Sequence, residues 1–145
     1  MKRFTFPLER VRRWRREQAS IEELKLQQLR AQLDRLAAAR QTIISEGERS
    51  AQQILAKPSI EPIELTSLES YRRHLGQRAR MIENQERQCE TRLNEQRQRV
   101  IEARRKFELL DRLHDTAFQE WQAASDKEYE NMAAELFLAK SARKT

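Results

Sequence analysis

Residues 68–124 read LESYRRHLGQRARMIENQERQCETRLNEQRQRVIEARRKFELLDRLHDTAFQEWQAA, and this stretch decides the fold. Alternate steps of four and three from Leu68 reach Arg72, Leu75, Ala79, Ile82, Glu86, Cys89, Leu93, Gln96, Val100, Ala103, Phe107, Leu110, His114, Ala117, Trp121 and Ala124. Apolar groups at this spacing form a ladder along one side of a helix, sustained here for roughly eight heptads. A lone helix cannot bury such a ladder. The seam positions Leu68, Leu75, Ile82, Cys89, Leu93, Val100, Phe107, Leu110 and Trp121 therefore call for a partner helix.

The partner is found upstream. From Pro7 to about Ala56 only Gly47 weakens an otherwise unbroken helical stretch, at a cost of about 1 kcal/mol relative to Ala. Its apolar positions fall into two registers, Val11, Trp14 and Ile21 against Leu26, Leu29, Leu33, Leu36, Ile43 and Ile54, which reads as an insertion or deletion in the heptad pattern near Ile21. The run Lys57-Pro58-Ser59-Ile60-Glu61-Pro62 then ends the helix, because proline constrains the residue before it and donates no backbone hydrogen bond. Thr66 and Glu69 match a capping box and predict the start of the second helix there.

The expected fold is all-α, a single elongated domain over residues 1–145: two long helices in an antiparallel coiled-coil hairpin, with helix 1 over about 7–56, a turn over 57–66 and helix 2 over about 67–140. At about 1.5 Å per residue the helices would be roughly 75 and 110 Å long. Folding about a turn near residue 61 pairs positions whose numbers sum to about 122, which sets Trp14 near Phe107 and leaves Phe4 and Phe6 to cover Phe118 and Trp121. Helix 2 is then the longer one, with a C-terminal overhang carrying Leu136, Phe137 and Leu138, and Ser141 to Thr145 are expected to be disordered.

Composition agrees with long helices: 36% charged, 38% hydrophobic, two Gly and three Pro in 145 residues. A two-helix seam offers no wide core to shelter chemistry from water, so an enzyme is not expected, nor a cofactor or a small-molecule substrate. Gly47 and Gly76 stand apart and make no phosphate-cradling loop, and His74 and His114 lack companions at metal-ligand spacing. One cysteine and no long apolar run predict a cytoplasmic protein with a reduced thiol, Cys89 serving as a small buried hydrophobe. Arg72, Glu86, Gln96 and His114 interrupt the ladder, where polar groups fix register at some cost in stability.

Charge is concentrated at one end. Residues 1–16 hold seven basic groups (Lys2, Arg3, Arg10, Arg12, Arg13, Arg15 and Arg16) against Glu9, which accounts for the whole net charge of +6. Such an end attracts an acidic protein, a phosphate backbone or an anionic membrane surface. A basic region ahead of a zipper is one reading, but Phe4, Phe6 and Trp14 interrupt the surface that would read DNA, and the Pro-containing turn favours an intramolecular pair over a parallel dimer. Nucleic acid is thus the less favoured partner, and a monomer the expected state. The alternatives to a protein adaptor are a basic coiled-coil nucleic-acid-binding protein and a purely structural coiled coil.

The opening Phe4-x-Phe6-x-Leu8-Glu9-x-Val11, followed by Arg15, Arg16 and Glu17, resembles the start of the FliJ family of flagellar export proteins, and length, helix plan and loop position resemble that family over nearly the whole chain. The resemblance implies a coiled coil similar to the central stalk of rotary ATPases, with a non-enzymatic role in flagellar type III protein export. Its implied partners are a hexameric export ATPase, an export gate membrane protein and export chaperones, met in the cytoplasm and peripherally at the cytoplasmic side of the membrane. The residues matching the ring-binding end are Arg10, Arg12, Arg13, Arg15 and Arg16, with Leu136, Phe137, Leu138 and Lys140 on the overhang. Those matching the gate-contacting surface are Tyr71, Leu75 and Ile82, while His74 and Arg78 replace the aromatic and the leucine that the family pattern places beside them.

Overall fold

The structure, a computed structural model, describes residues 2–144. It is an all-α helical hairpin of α1 (Glu9–Leu55) and α2 (Pro62–Arg143), 47 and 82 residues long, with no strand among the described residues. The chain divides into two compact units, residues 21–100 and residues 1–20 with 101–145.

The unit of residues 21–100 contains the turn. α1 ends as Ala56 N–H and Lys57 N–H donate to the carbonyls of Gln52 and Ile54, ahead of Pro58. α2 begins five residues earlier than the capping box predicted. Pro62 has a helical φ already built in and no N–H to satisfy, so it takes the first helical position, and the Glu61 carbonyl accepts from the N–H groups of Glu64 and Leu65. The Thr66 hydroxyl is then inside the helix, donating to the Pro62 carbonyl, and Glu69 pairs with Arg73 instead of capping. Lys57 Nζ bridges the turn to Glu64 at 3.2 Å.

Leu26, Leu93 and Val100 form the centre of this unit, with Leu29 and Leu33 packed on them. Leu68, Leu75, Cys89 and Ile43 are buried along the same face, each removing from water the kind of side chain worth about 1.5–3 kcal/mol when fully covered. The polar rungs are matched across the pair. Gln96 is buried and its amide donates both to the Glu22 carbonyl at 2.9 Å and to the Glu22 carboxylate. Arg40 Nε donates to Glu86 at 2.8 Å, and the Cys89 thiol to the Leu29 carbonyl at 3.5 Å. Arg72 does not interrupt the ladder as expected: it is exposed, its charged head left in water.

In the other unit Ala103, Phe107, Leu110, His114, Ala117 and Trp121 are half-covered on α2, with Asp111 half-covered beside them. The ladder does not extend to Ala124, which is exposed while Ser125 is buried: after Trp121 the covered face moves on by one residue. α2 runs on to Arg143, so Ser141 to Arg143 are helical rather than disordered, and the expectation for Thr145 lies outside the described residues.

The two-register reading of α1 is corrected. A single alternation of three and four without insertion is covered throughout, at Arg12, Arg15 and Ala19 in one unit and Glu22, Leu26, Leu29, Leu33, Leu36, Arg40, Ile43, Gly47, Ser50 and Ile54 in the other, with Glu9, Gln18, Glu23, Ala37, Ser45 and Ala51 half-covered beside it. Val11, Trp14 and Ile21 lie outside it, exposed. The register set by the leucines carries back toward the N-terminus even where its positions are charged, because α2 supplies partners for those charges and the arginine stems pack like aliphatic chains.

Candidate functional site: the basic and aromatic end

The basic run of residues 2–16 lies in the unit of residues 1–20 and 101–145. Ahead of α1, Phe4 meets three rings of α2 edge-on or tilted: His114 at 5.5 Å, Phe118 at 5.2 Å and Trp121 at 5.8 Å between centroids. Phe6 sits perpendicular to His114 at 5.3 Å, and Phe118 stacks on Trp121. These are the separations at which aromatic pairs attract beyond their burial. Trp121 Nε1 donates to the Lys2 carbonyl at 3.1 Å, tying the chain ahead of the helix to the cluster. Phe4 thus covers Phe118 and Trp121 as the residue count predicted, whereas Phe6 packs on His114 instead. Arg3, Phe4, Phe6, Glu9, Arg13 and His114 border an open hollow of about 430 Å³.

The five arginines do different work. Arg12 is drawn into the pair: Nε and Nη2 donate to Asp111 Oδ1 at 3.1 and 2.8 Å, and Nη1 donates to both Glu9 oxygens at 3.2 and 3.3 Å. Its guanidinium pKa is raised, chiefly by the hydrogen bond it donates to Asp111 and with help from the charges of Glu9 and Asp111, against a smaller desolvation. Arg15 covers the face of Trp14 at 4.5 Å, and Arg16 that of Phe107 at 5.2 Å, both within cation–π range. Arg16, not Trp14 as the count predicted, therefore meets Phe107. Arg10 and Arg13 point outward, Arg13 held loosely by Glu9 at 3.4 Å. Leu8, Val11 and Trp14 are exposed among them, so this end presents cations and apolar side chains together. The sequence carried a signal for this: the spacing from Leu26 back through Glu22, Ala19, Arg15 and Arg12 leaves Val11 and Trp14 on the outside.

Leu136, Phe137 and Leu138 are all exposed, at 67%, 70% and 66%, and Lys140 with them. The structure does not bring them beside the arginines. Leu136 follows Trp121 by about 15 residues, roughly 22 Å along the helix.

Tyr71, Leu75 and Ile82 lie in the unit of residues 21–100. Leu75 is buried and Ile82 half-covered within the seam, so neither forms an exposed docking face. Tyr71 does reach the surface, its hydroxyl donating to Glu46 Oε1 at 2.7 Å, and that bond first, then desolvation and the Glu46 charge, raises its phenol pKa. His74 and Arg78 beside it are exposed.

No group of three His, Cys, Asp or Glu able to hold a metal lies among the described residues, and no helix there is long and apolar enough to cross a membrane. Comparison with protein-family models, with curated proteins and with solved structures finds no match to this chain.

Proposed function

We propose that this chain is a non-enzymatic stalk and adaptor of the flagellar, or a related type III, protein export apparatus. Its basic, aromatic-clamped end enters the centre of a hexameric export ATPase and promotes assembly of the ring, with Leu136, Phe137, Leu138 and Lys140 as further contacts. The chain couples the ring to the export gate and to export chaperones, in the cytoplasm and peripherally at the membrane. The observation that carries the reading is the end itself. Arg10 and Arg13 stand outward beside exposed Leu8, Val11 and Trp14, on a helix whose entry is pinned by Phe4 and Phe6. Charge of one sign orients and speeds docking into an acidic opening, and the apolar side chains supply what charge alone does not. The opening residues of the FliJ-like pattern acquire distinct uses in this reading: Phe4 and Phe6 hold the end together, and Leu8 and Val11 face the partner.

The test is a purified cognate export ATPase. The protein is expected to bind the ring and change its rate of ATP hydrolysis, and Arg10→Glu with Arg13→Glu is expected to weaken this about tenfold or more at low salt, without loss of helix. A protein that neither binds the ring nor alters hydrolysis, or a double variant that acts as the parent does, overturns the proposal.

A further inference from the structure

Every described residue from Asp126 to Lys144 is exposed, although the segment is helical as far as Arg143. Several of its apolar side chains share one row, from which Phe137 and Leu138 stand apart. From Ser125, the last covered residue, a step of four reaches Tyr129, and steps of three, four, three and four then reach Met132, Leu136, Ala139 and Arg143. Tyr129, Met132 and Leu136 are 64%, 53% and 67% exposed. The face of α2 that is covered at Trp121 and Ser125 thus continues, at coiled-coil spacing, where no described residue covers it.

Charge says what covers it. The first half of the segment holds Asp126, Glu128, Glu130 and Glu135 against Lys127, and the second half holds Lys140, Arg143 and Lys144 with no acid. Turned end over end onto itself, the segment sets Glu128 and Glu130 against Lys140 and Arg143 at both ends and Met132 against Leu136 between, with Glu135 of each copy near the axis. An anionic membrane surface would repel the first half. A self-complementary patch of this kind is what a twofold, isologous contact requires.

We propose that the face of Tyr129, Met132, Leu136 and Ala139 is a docking surface for the same segment of a second copy of this chain, antiparallel, with the twofold axis near Glu135. Glu128 and Glu130 of each copy then lie opposite Lys140 and Arg143 of the other. A pair of helices about five turns long buries less than the roughly 1,600 Å² of a standard interface, so the dimer is weak and reversible, with Kd on the order of 10 μM. This goes beyond the export reading and stands without it.

Sedimentation equilibrium of the full chain from about 1 to about 200 μM at low salt tests it. The expected result is a monomer–dimer equilibrium that weakens as salt rises. Met132→Asp with Leu136→Asp is expected to leave a monomer at every concentration with its helix content intact, both side chains being exposed in the free chain. Glu128→Lys with Glu130→Lys, and separately Lys140→Glu with Arg143→Glu, are each expected to weaken association about tenfold or more, and an equal mixture of the two variants to restore it. A parallel pair already sets like charge against like and would not respond in this way. A parent chain that stays monomeric throughout, a dimer that survives Met132→Asp with Leu136→Asp, or a mixture no more associated than its components overturns the proposal, as does capture of the segment by another protein while the parent remains a monomer.

Discussion

Arg12 reaches from α1 to Asp111 on α2 and sets two donors, Nε and Nη2, on the single oxygen Oδ1, while its third nitrogen turns back to Glu9. The arginine side chain is 15% exposed and the aspartate 39%, so the pair lies at the margin of the seam. The guanidinium is desolvated enough for the contact to matter, and the carboxylate is wet enough for solvent to screen it. Arg12→Ala is expected to cost about 1–2 kcal/mol and Asp111→Ala about half of that, with a coupling of about 0.5–1 kcal/mol in a double-mutant cycle measured by urea unfolding. Additive single effects would show that the bond contributes nothing. The sign with pH follows from the raised Arg12 pKa. A cation whose folded value is raised stabilises fully below its unfolded value, so this contribution stays constant up to strongly alkaline pH and fades only above it.

Phe4 is the side chain that joins the segment ahead of α1 to three rings of α2. Phe4→Ala is expected to cost about 1–3 kcal/mol, less than a fully buried ring because Phe4 is half-covered. Trp121 should become more solvated, read as a red shift in its emission in a Trp14→Phe background. Unchanged emission would mean that the cluster does not persist in solution.

Gly47 and Gly76 are both helical and neither has a positive φ, so glycine is required at neither by its backbone. A Cβ at Gly76 would meet open space, and at Gly47 it would touch Leu75 Cδ1 at an ordinary 3.6 Å. Gly76→Ala is expected to stabilise by about 0.5–1 kcal/mol through backbone entropy alone, and Gly47→Ala by that much plus a small packing gain. A rise in the urea midpoint with unchanged slope is the expected measurement, and destabilisation at Gly47 would show that α1 and α2 lie closer there than the 3.6 Å contact allows.

Tyr71 gives the pH dependence an observable. Its phenol is held above the ordinary value by the bond to Glu46, so the stabilisation is present below pH about 10 and lost as pH rises through the folded value. In a Tyr129→Phe background, where Tyr71 is the remaining tyrosine, its phenolate absorbance is expected to rise later than in a model peptide. Glu46→Gln should bring it back, and an unshifted curve in the parent would mean that the hydroxyl is free.

Most of α2 was legible because burial there obeys a local rule. From Leu75 to Trp121 every position reached by alternate steps of four and three is covered, polar or not. The turn was legible in Pro58 and Pro62, and the antiparallel pairing in the residue count between them. The start of α2 was misplaced at Thr66, because Pro62 was read only as part of the stop to α1 although it is itself a good first helical residue, and the earlier opening holds once a helix can form from it.

What the sequence determined by itself, then, was the hairpin and the ladder of α2, because proline geometry and a heptad of apolar groups act over a few residues. Which face of α1 closes the pair was settled by contacts between the helices. By hydrophobicity, Val11, Trp14 and Ile21 should face inward. Instead Arg12, Arg15 and Glu22 do, because Asp111 bonds Arg12 and Gln96 bonds Glu22 from the other helix, and a charge with its partner in reach can hold a position that side-chain hydrophobicity alone would assign elsewhere.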